Sequence, residues 1–150
     1  NKRPVCVYVD ASEELIKETS SNFTNPILQF HGNETNDYCK SFNNDFWKVI
    51  RVKDSESMNM IFDYPDASAI LLENYKKGLY GGTGSNFDWS LVQNLKVNDK
   101  KVIISGGINI KNVDNAIRIN PWCVDINSGV EITPSIKNVD LIKEIIKKFK

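Results

Sequence analysis

Val102-Ile103-Ile104-Ser105-Gly106-Gly107 and, further on, Cys123-Val124-Asp125-Ile126-Asn127-Ser128-Gly129 are two buried-type strands that each run into a glycine turn. They close a series whose earlier members are predicted over Val5 to Val9, Ile27 to Phe30, Trp47 to Val52 and Ala67 to Leu72. All read as continuous apolar runs more than strict alternations, the pattern of parallel strands covered on both faces. Amphipathic segments lie between them, and that β–α alternation requires a parallel sheet with right-handed crossovers.

Two architectures satisfy the alternation. An open doubly wound sheet carries its phosphate loop after the first strand, yet the early turn here, Asp10-Ala11-Ser12, holds no glycine. A barrel carries its phosphate site after the last strands, where both glycine turns fall. The fold class read from sequence is therefore α/β: a partial (βα)8 TIM barrel, six parallel strands with alternating helices. It forms one incomplete barrel domain over residues 1–150, without linker or low-complexity tract.

Helix starts are marked as well. Asp10, with Glu13 at capping-box spacing, or Ser12 caps Glu13 to Ser20. Asp88 caps a helix whose inner face is Leu91, Val92 and Leu95. Asn109 caps one that buries Val113, Ala116 and Ile117 and stops at Asn120-Pro121, where proline cannot continue. The last helix puts Val139, Ile142, Ile145, Ile146 and Phe149 on one core-facing stripe, its lysines forming a solvated face.

Composition narrows the function classes. Hydrophobic residues make up 41% and charged residues 25% of the 150, ordinary for a globular chain. Nineteen basic side chains balance nineteen acidic ones, which leaves no electrostatic footprint for nucleic acid or an anionic membrane. No apolar run approaches the ~20 residues of a membrane span, and no signal peptide opens the chain. The three cysteines, Cys6, Cys39 and Cys123, have neither zinc nor disulfide spacing, so a cytoplasmic location is expected. Asn1 rather than a methionine comes first and a strand follows almost at once, which points to a true N-terminus lying elsewhere.

The chemistry-bearing residues gather at strand ends. A phosphate wants several backbone N–H groups converging in a concave turn, and glycine lets the backbone approach. Gly106, Gly107, Ser128 and Gly129 supply two such turns. Gly81-Gly82-Thr83-Gly84 lacks the Lys-Ser or Lys-Thr of a nucleotide loop and reads either as a lid over a ligand or as a plain connection. Glu73 ends the apolar strand Ile70-Leu71-Leu72 and is the best candidate acid, since burial favours the protonated form of a carboxyl. Asp125, between Val124 and Ile126, needs a hydrogen-bonding partner, whether in the core or on a substrate. His31, the only histidine, has no second histidine or nearby cysteine for a metal and reads first as hydrogen-bonded structure. Arg51 points either into the barrel mouth or to a neighbouring carboxylate. All three cysteines read as buried filler.

Taken in order, Gln29-Phe30-His31-Gly32-Asn33-Glu34, Leu71-Leu72-Glu73, Gly81-Gly82-Thr83-Gly84 through Phe87-Asp88-Trp89, Ser105-Gly106-Gly107 through Asn112-Val113, and Val124-Asp125-Ile126-Asn127-Ser128-Gly129-Val130-Glu131 resemble phosphoribosylanthranilate isomerase over the length of the chain. The resemblance implies a (βα)8 barrel of tryptophan biosynthesis performing an Amadori rearrangement of a phosphoribosyl substrate without a cofactor or metal. It implies Glu73 as general acid and Gly106, Gly107, Asn127, Ser128 and Gly129 around the phosphate. Asp125 would stand near the substrate amine, with Gly82, Thr83 and Gly84 as the lid; His31 and Arg51 are further candidates.

Departures from the family pattern are specific. The family's acid is aspartate, one methylene shorter than Glu73, and Asn127 stands where a serine is usual. A usual Pro-Gly followed by Lys-Asp appears as Pro134-Ser135 and Lys137-Asn138. The chain begins at what resembles the family's third strand, without the Lys-Ile-Cys-Gly motif of the catalytic cysteine; Cys6 matches third-strand context and is no substitute. The expectation is little activity from these residues alone, with pairing to an N-terminal segment or homo-oligomer formation completing the sheet. A phosphate-ligand binding module without catalysis is the alternative.

Overall fold

Alternation that sequence hides becomes visible once each strand has two faces to cover. The computed structural model describes residues 2–74, 90–93 and 100–149. Along β4 (Ala69–Asn74), Ile70 and Leu72 point to the helices while Ala69, Leu71 and Glu73 point the other way, and all five are buried. Both faces select apolar side chains, so the strand reads as one hydrophobic run.

The remaining parallel strands are β1 (Val5–Tyr8), β2 (Ile27–Phe30), β3 (Phe46–Val52), β5 (Lys101–Ile104) and β6 (Cys123–Val124). Their order in the sheet is the order in the chain, every neighbouring pair parallel. A doubly wound sheet reverses direction at a switch point; this one does not, and the strands form a half-barrel with its helices on the convex side. The predicted strands are found with shifted ends. β6 is the shortest of the six parallel strands. One further bond, from Asp125 N–H to the Ile104 carbonyl at 2.9 Å, extends its pairing.

Between strands lie α1 (Glu13–Ser20), α2 (Asn36–Lys40), α3 (Ser55–Asn59), α4 (Ser90–Gln93) and α5 (Val113–Arg118). Ser12, not Asp10, caps α1 by accepting from Leu15 N–H. Asp10 instead adopts a φ of 47° and accepts from the Asn33 amide at 2.6 Å, tying the loop after β1 to the loop after β2. Asn112 rather than Asn109 precedes α5, although the Asn109 carbonyl accepts from Val113 N–H at 2.9 Å. Asp88 and Leu95 lie outside the described residues.

After β6 the chain makes a 3-10 turn (Ser128–Val130), an antiparallel hairpin of β7 (Glu131–Thr133) and β8 (Ile136–Lys137), then α6 (Val139–Lys147). α6 buries Ile145 and half-buries Leu141 and Ile142, whereas Val139, Ile146 and Phe149 are exposed. The five-residue core stripe expected from periodicity is thus narrower than its spacing suggested. No helix of the described residues is long and apolar enough to cross a membrane.

Two cores result. The convex one joins Ile16, Leu28, Phe30, Ile50, Ile70, Leu72 and Ile104 to the helices, each such burial contributing about 1.5–3 kcal/mol. The concave one is small: Val49, Ala69, Leu71 and Ile103, with Trp47 and Cys123 packed against them. It floors the half-barrel and leaves the carboxyl ends of the strands open above it.

Candidate active site

Above that floor a cavity of about 570 Å³ opens on the concave face. Its polar wall is supplied by residues at or just past strand ends: His31 after β2, Glu73 in β4, Ser105, Gly106 and Gly107 after β5, and Asp125, Asn127 and Ser128 after β6. Residues far apart in sequence converge because parallel strands all end at the same rim.

Glu73 faces inward and is 5% exposed. Its Oε2 lies 2.7 Å from His31 Nε2. Two further contacts fix the histidine: its backbone N–H donates to the Tyr8 carbonyl at 2.8 Å, and its carbonyl accepts from Arg51 Nη2 at 2.5 Å, with the register setting Arg51 opposite Glu73. Arg51, given two directions by the sequence, fastens the His31 backbone through its guanidinium.

The glycine turns meet. Gly106 has a φ of 91° and Gly107 of 69°, a left-handed region that glycine enters without penalty. A Cβ on Gly106 would stand 2.9 Å from the Asn74 nitrogen and 3.1 Å from Glu73 Cγ. On Gly129 it would stand 1.8 Å from the carbonyl oxygen of Ile108. Close approach therefore brings the β5 turn against both the acid and the β6 turn, on one rim. Asn109 Nδ2 and Asn112 Nδ2 both donate to the Gly107 carbonyl, at 3.0 and 3.1 Å, which pins the first turn. Ser105 Oγ donates to Asp125 Oδ2 at 2.9 Å, the partner that a carboxylate on this strand requires.

Among the larger polar and aromatic side chains of the cavity, sequence reading missed Gln29, Trp47 and Lys137. Period-two alternation from Glu73 and its register partners would have pointed Trp47 inward. Lys137 carried no such signal, because a hairpin, not a barrel strand, brings it to the rim. Gly82, Thr83 and Gly84 lie outside the described residues.

The cysteines divide by face. Cys6 packs against the convex core, its neighbours Val5 and Val7 lining the cavity instead. Cys39 is buried among the helices, and burial pushes its thiol up to about 12. Cys123 does line the cavity, against the expectation of buried filler, but burial first and the Asp125 charge second hold its thiol above the ordinary range. Neither of these two offers a ready thiolate.

Fold and rim together define an α/β half-barrel with a buried acid beside paired glycine turns. The family model for N-(5'phosphoribosyl)anthranilate (PRA) isomerase matches residues 1–148. A relative from Hahella chejuensis, named N-(5'-phosphoribosyl)anthranilate isomerase, is 41% identical over 144 residues, covering 95% of this chain and 67% of its own. Phosphoribosyl anthranilate isomerase from Thermotoga maritima superposes with a TM-score of 0.84 at 32% identity, over 96% of this chain and 71% of that one. A crystal structure of the isomerase in complex with reduced 1-(o-carboxyphenylamino)-1-deoxyribulose 5-phosphate superposes at 0.80 with 31% identity, over 96% and 69%. The chain belongs to the N-(5'-phosphoribosyl)anthranilate isomerase family. It is an isomerase of tryptophan biosynthesis, and the expectation of little activity from these residues finds no support in the matches.

Proposed function

We propose that the concave rim carries out the Amadori rearrangement of N-(5'-phosphoribosyl)anthranilate, with Glu73 as the general acid. The observation that carries this reading is the single cavity wall shared by Glu73 and the two glycine turns. Gly106, Gly107, Asn127, Ser128 and Gly129 hold the substrate phosphate, and that distant binding energy fixes the sugar ring against the acid. Gly82, Thr83 and Gly84 are proposed to close over it.

The steps follow from the chemistry. Glu73 gives its proton to the furanose oxygen as the bond from that oxygen to C1 breaks, and the amine lone pair forms the Schiff base. A general base then removes the C2 proton, and the enolamine tautomerises to the ketone. Asp125, positioned by Ser105, faces the amine region. His31 orients the acid: the extra methylene of glutamate, where the family has aspartate, carries the carboxylate to His31 Nε2.

The base is not assigned among Cys6, Cys39 and Cys123. We infer a complete (βα)8 barrel in which strands beside β1 and β6 cover Val5, Val7 and Trp122, the apolar side chains left exposed at the two edges of the half-barrel. An N-terminal segment is the expected source and a second copy the alternative. The free cysteines fit a cytoplasmic location, and the proposed chemistry draws on no cofactor or metal.

Anthranilate fluorescence during turnover, together with titration by the reduced product analogue, tests the assignment. Glu73→Ala is expected to abolish turnover and leave analogue affinity within about tenfold, as for a group acting mainly in the transition state. Unchanged turnover would remove Glu73 from the mechanism, and binding without any turnover in the unsubstituted protein would favour the binding-module alternative.

A further inference from the structure

Two carboxylates, Glu73 and Asp125, face the cavity, and among its described lining residues one side chain carries a permanent positive charge: Lys137. A phosphate dianion entering such a space needs a counter-charge. We propose that Lys137 is that counter-charge and binds the phosphate directly, an inference that rests on the phosphate-turn reading above.

The hairpin brings it there. β8 pairs antiparallel with β7, setting Lys137 opposite Glu131. The ammonium donates to the Asn127 carbonyl at 2.9 Å, to Asn127 Oδ1, and to Glu131 Oε1 at 2.7 Å. It therefore sits against the residue that opens the Ser128-Gly129 turn. The Glu131 side chain is 16% exposed and that of Lys137 39%, so the carboxylate is sunk as an anchor while the cation stays accessible.

An ammonium has three donors, and all three are on protein oxygens here. Contact with phosphate requires one to be handed over. Asn127 Oδ1 is the cheapest to release: rotation of the side-chain amide frees the ammonium and turns the Asn127 NH2 donors toward the same phosphate. The Glu131 bond is charge-assisted and stays. Lysine suits the task as a compact point charge that needs no fixed approach direction.

Titration of the full chain with inorganic phosphate, followed at the Ser128 and Gly129 amide resonances at two chloride concentrations, tests the proposal. Lys137→Gln is expected to weaken phosphate binding about tenfold or more and to reduce its salt dependence, while Lys137→Arg retains most of it. Binding by Lys137→Gln within about twofold of the unsubstituted protein overturns the assignment. Should the glutamine variant fail to fold, the Lys137 ammonium resonance of the unsubstituted protein decides: a shift on adding phosphate, absent with chloride alone, supports direct contact, and no shift overturns it. If phosphate moves neither amide in the unsubstituted protein, the phosphate-turn reading falls and Lys137 with it. Loss of turnover in Glu73→Ala, by contrast, tests the isomerase reading without touching this one.

Discussion

Two buried acid–base pairs lie on opposite faces of the same sheet, and they do different work. On the convex side Lys48 Nζ meets Glu34 Oε2 at 2.9 Å with both side chains 2% exposed. Every strong group there is satisfied: Lys48 also donates to the Gly32 carbonyl at 2.7 Å, and Glu34 accepts from the amides of Asp10 and Gly32 at 2.8 and 2.9 Å. On the concave side His31 meets Glu73 at 2.7 Å, with 14% and 7% exposure, and both line the cavity. The first pair is sealed and joins the loops after β1 and β2 to β3. The second opens onto space that a substrate can fill. Burial alone therefore does not mark a site; burial with an open side does.

That contrast can be broken from either end. Glu73→Gln removes a transferable proton while keeping shape, so turnover is expected to fall by about 100- to 10,000-fold in the fluorescence assay. Urea unfolding of the same variant is expected to move little. A loss of stability matching the loss of rate would make the two pairs alike.

Lys48→Met should show the reverse. It strands the Glu34 charge in an apolar setting, and the expected cost is about 3–5 kcal/mol in urea unfolding. Replacing Glu34 as well, in Lys48→Met with Glu34→Leu, is expected to recover much of that, which would separate the stranded charge from the lost pair.

Cys39 sharpens the picture of the sealed side, since its thiol is raised chiefly by burial and is touched by the charges of Lys48 and Glu34. Folding holds the proton on this thiol more tightly than the unfolded chain does. Its contribution is complete below the ordinary thiol value of 9.0 and is lost as pH rises toward about 12. Stability should then fall by about 1.4 kcal/mol per pH unit across that window, and Cys39→Ala should flatten the slope.

The smallest effect concerns the rim hairpin. Ser135 adopts a φ of 70°, the region glycine prefers, at the position where the family pattern has Pro-Gly. Ser135→Gly is expected to stabilise by about 1 kcal/mol in urea unfolding and leave turnover unchanged.

How much of this the sequence disclosed depended on distance along the chain. The acid, both glycine turns and the strand series follow from local patterns, because a strand ending in a polar residue or a Gly-Gly turn announces itself within a few positions. Pairings do not. Nothing local joins Lys48 to Glu34 or His31 to Glu73; register does, and register requires the sheet. Arg51 shows the same limit, since the sequence left its direction open between the barrel mouth and a carboxylate and gave no sign of its bond to the His31 carbonyl. The α6 stripe failed because periodicity gives a face without its width, and neighbours decide which of Ile142, Ile145 and Ile146 are covered.

Trp47, a floor residue with its ring 6.0 Å from that of Trp122, gives the half-barrel an optical label of its own. Indole emission overlaps the absorption of an aminobenzoate, so an occupant carrying that ring would drain the tryptophan signal by energy transfer. Occupancy can then be watched in the ultraviolet with no dye attached, and a phosphate lacking the ring would leave the glow intact.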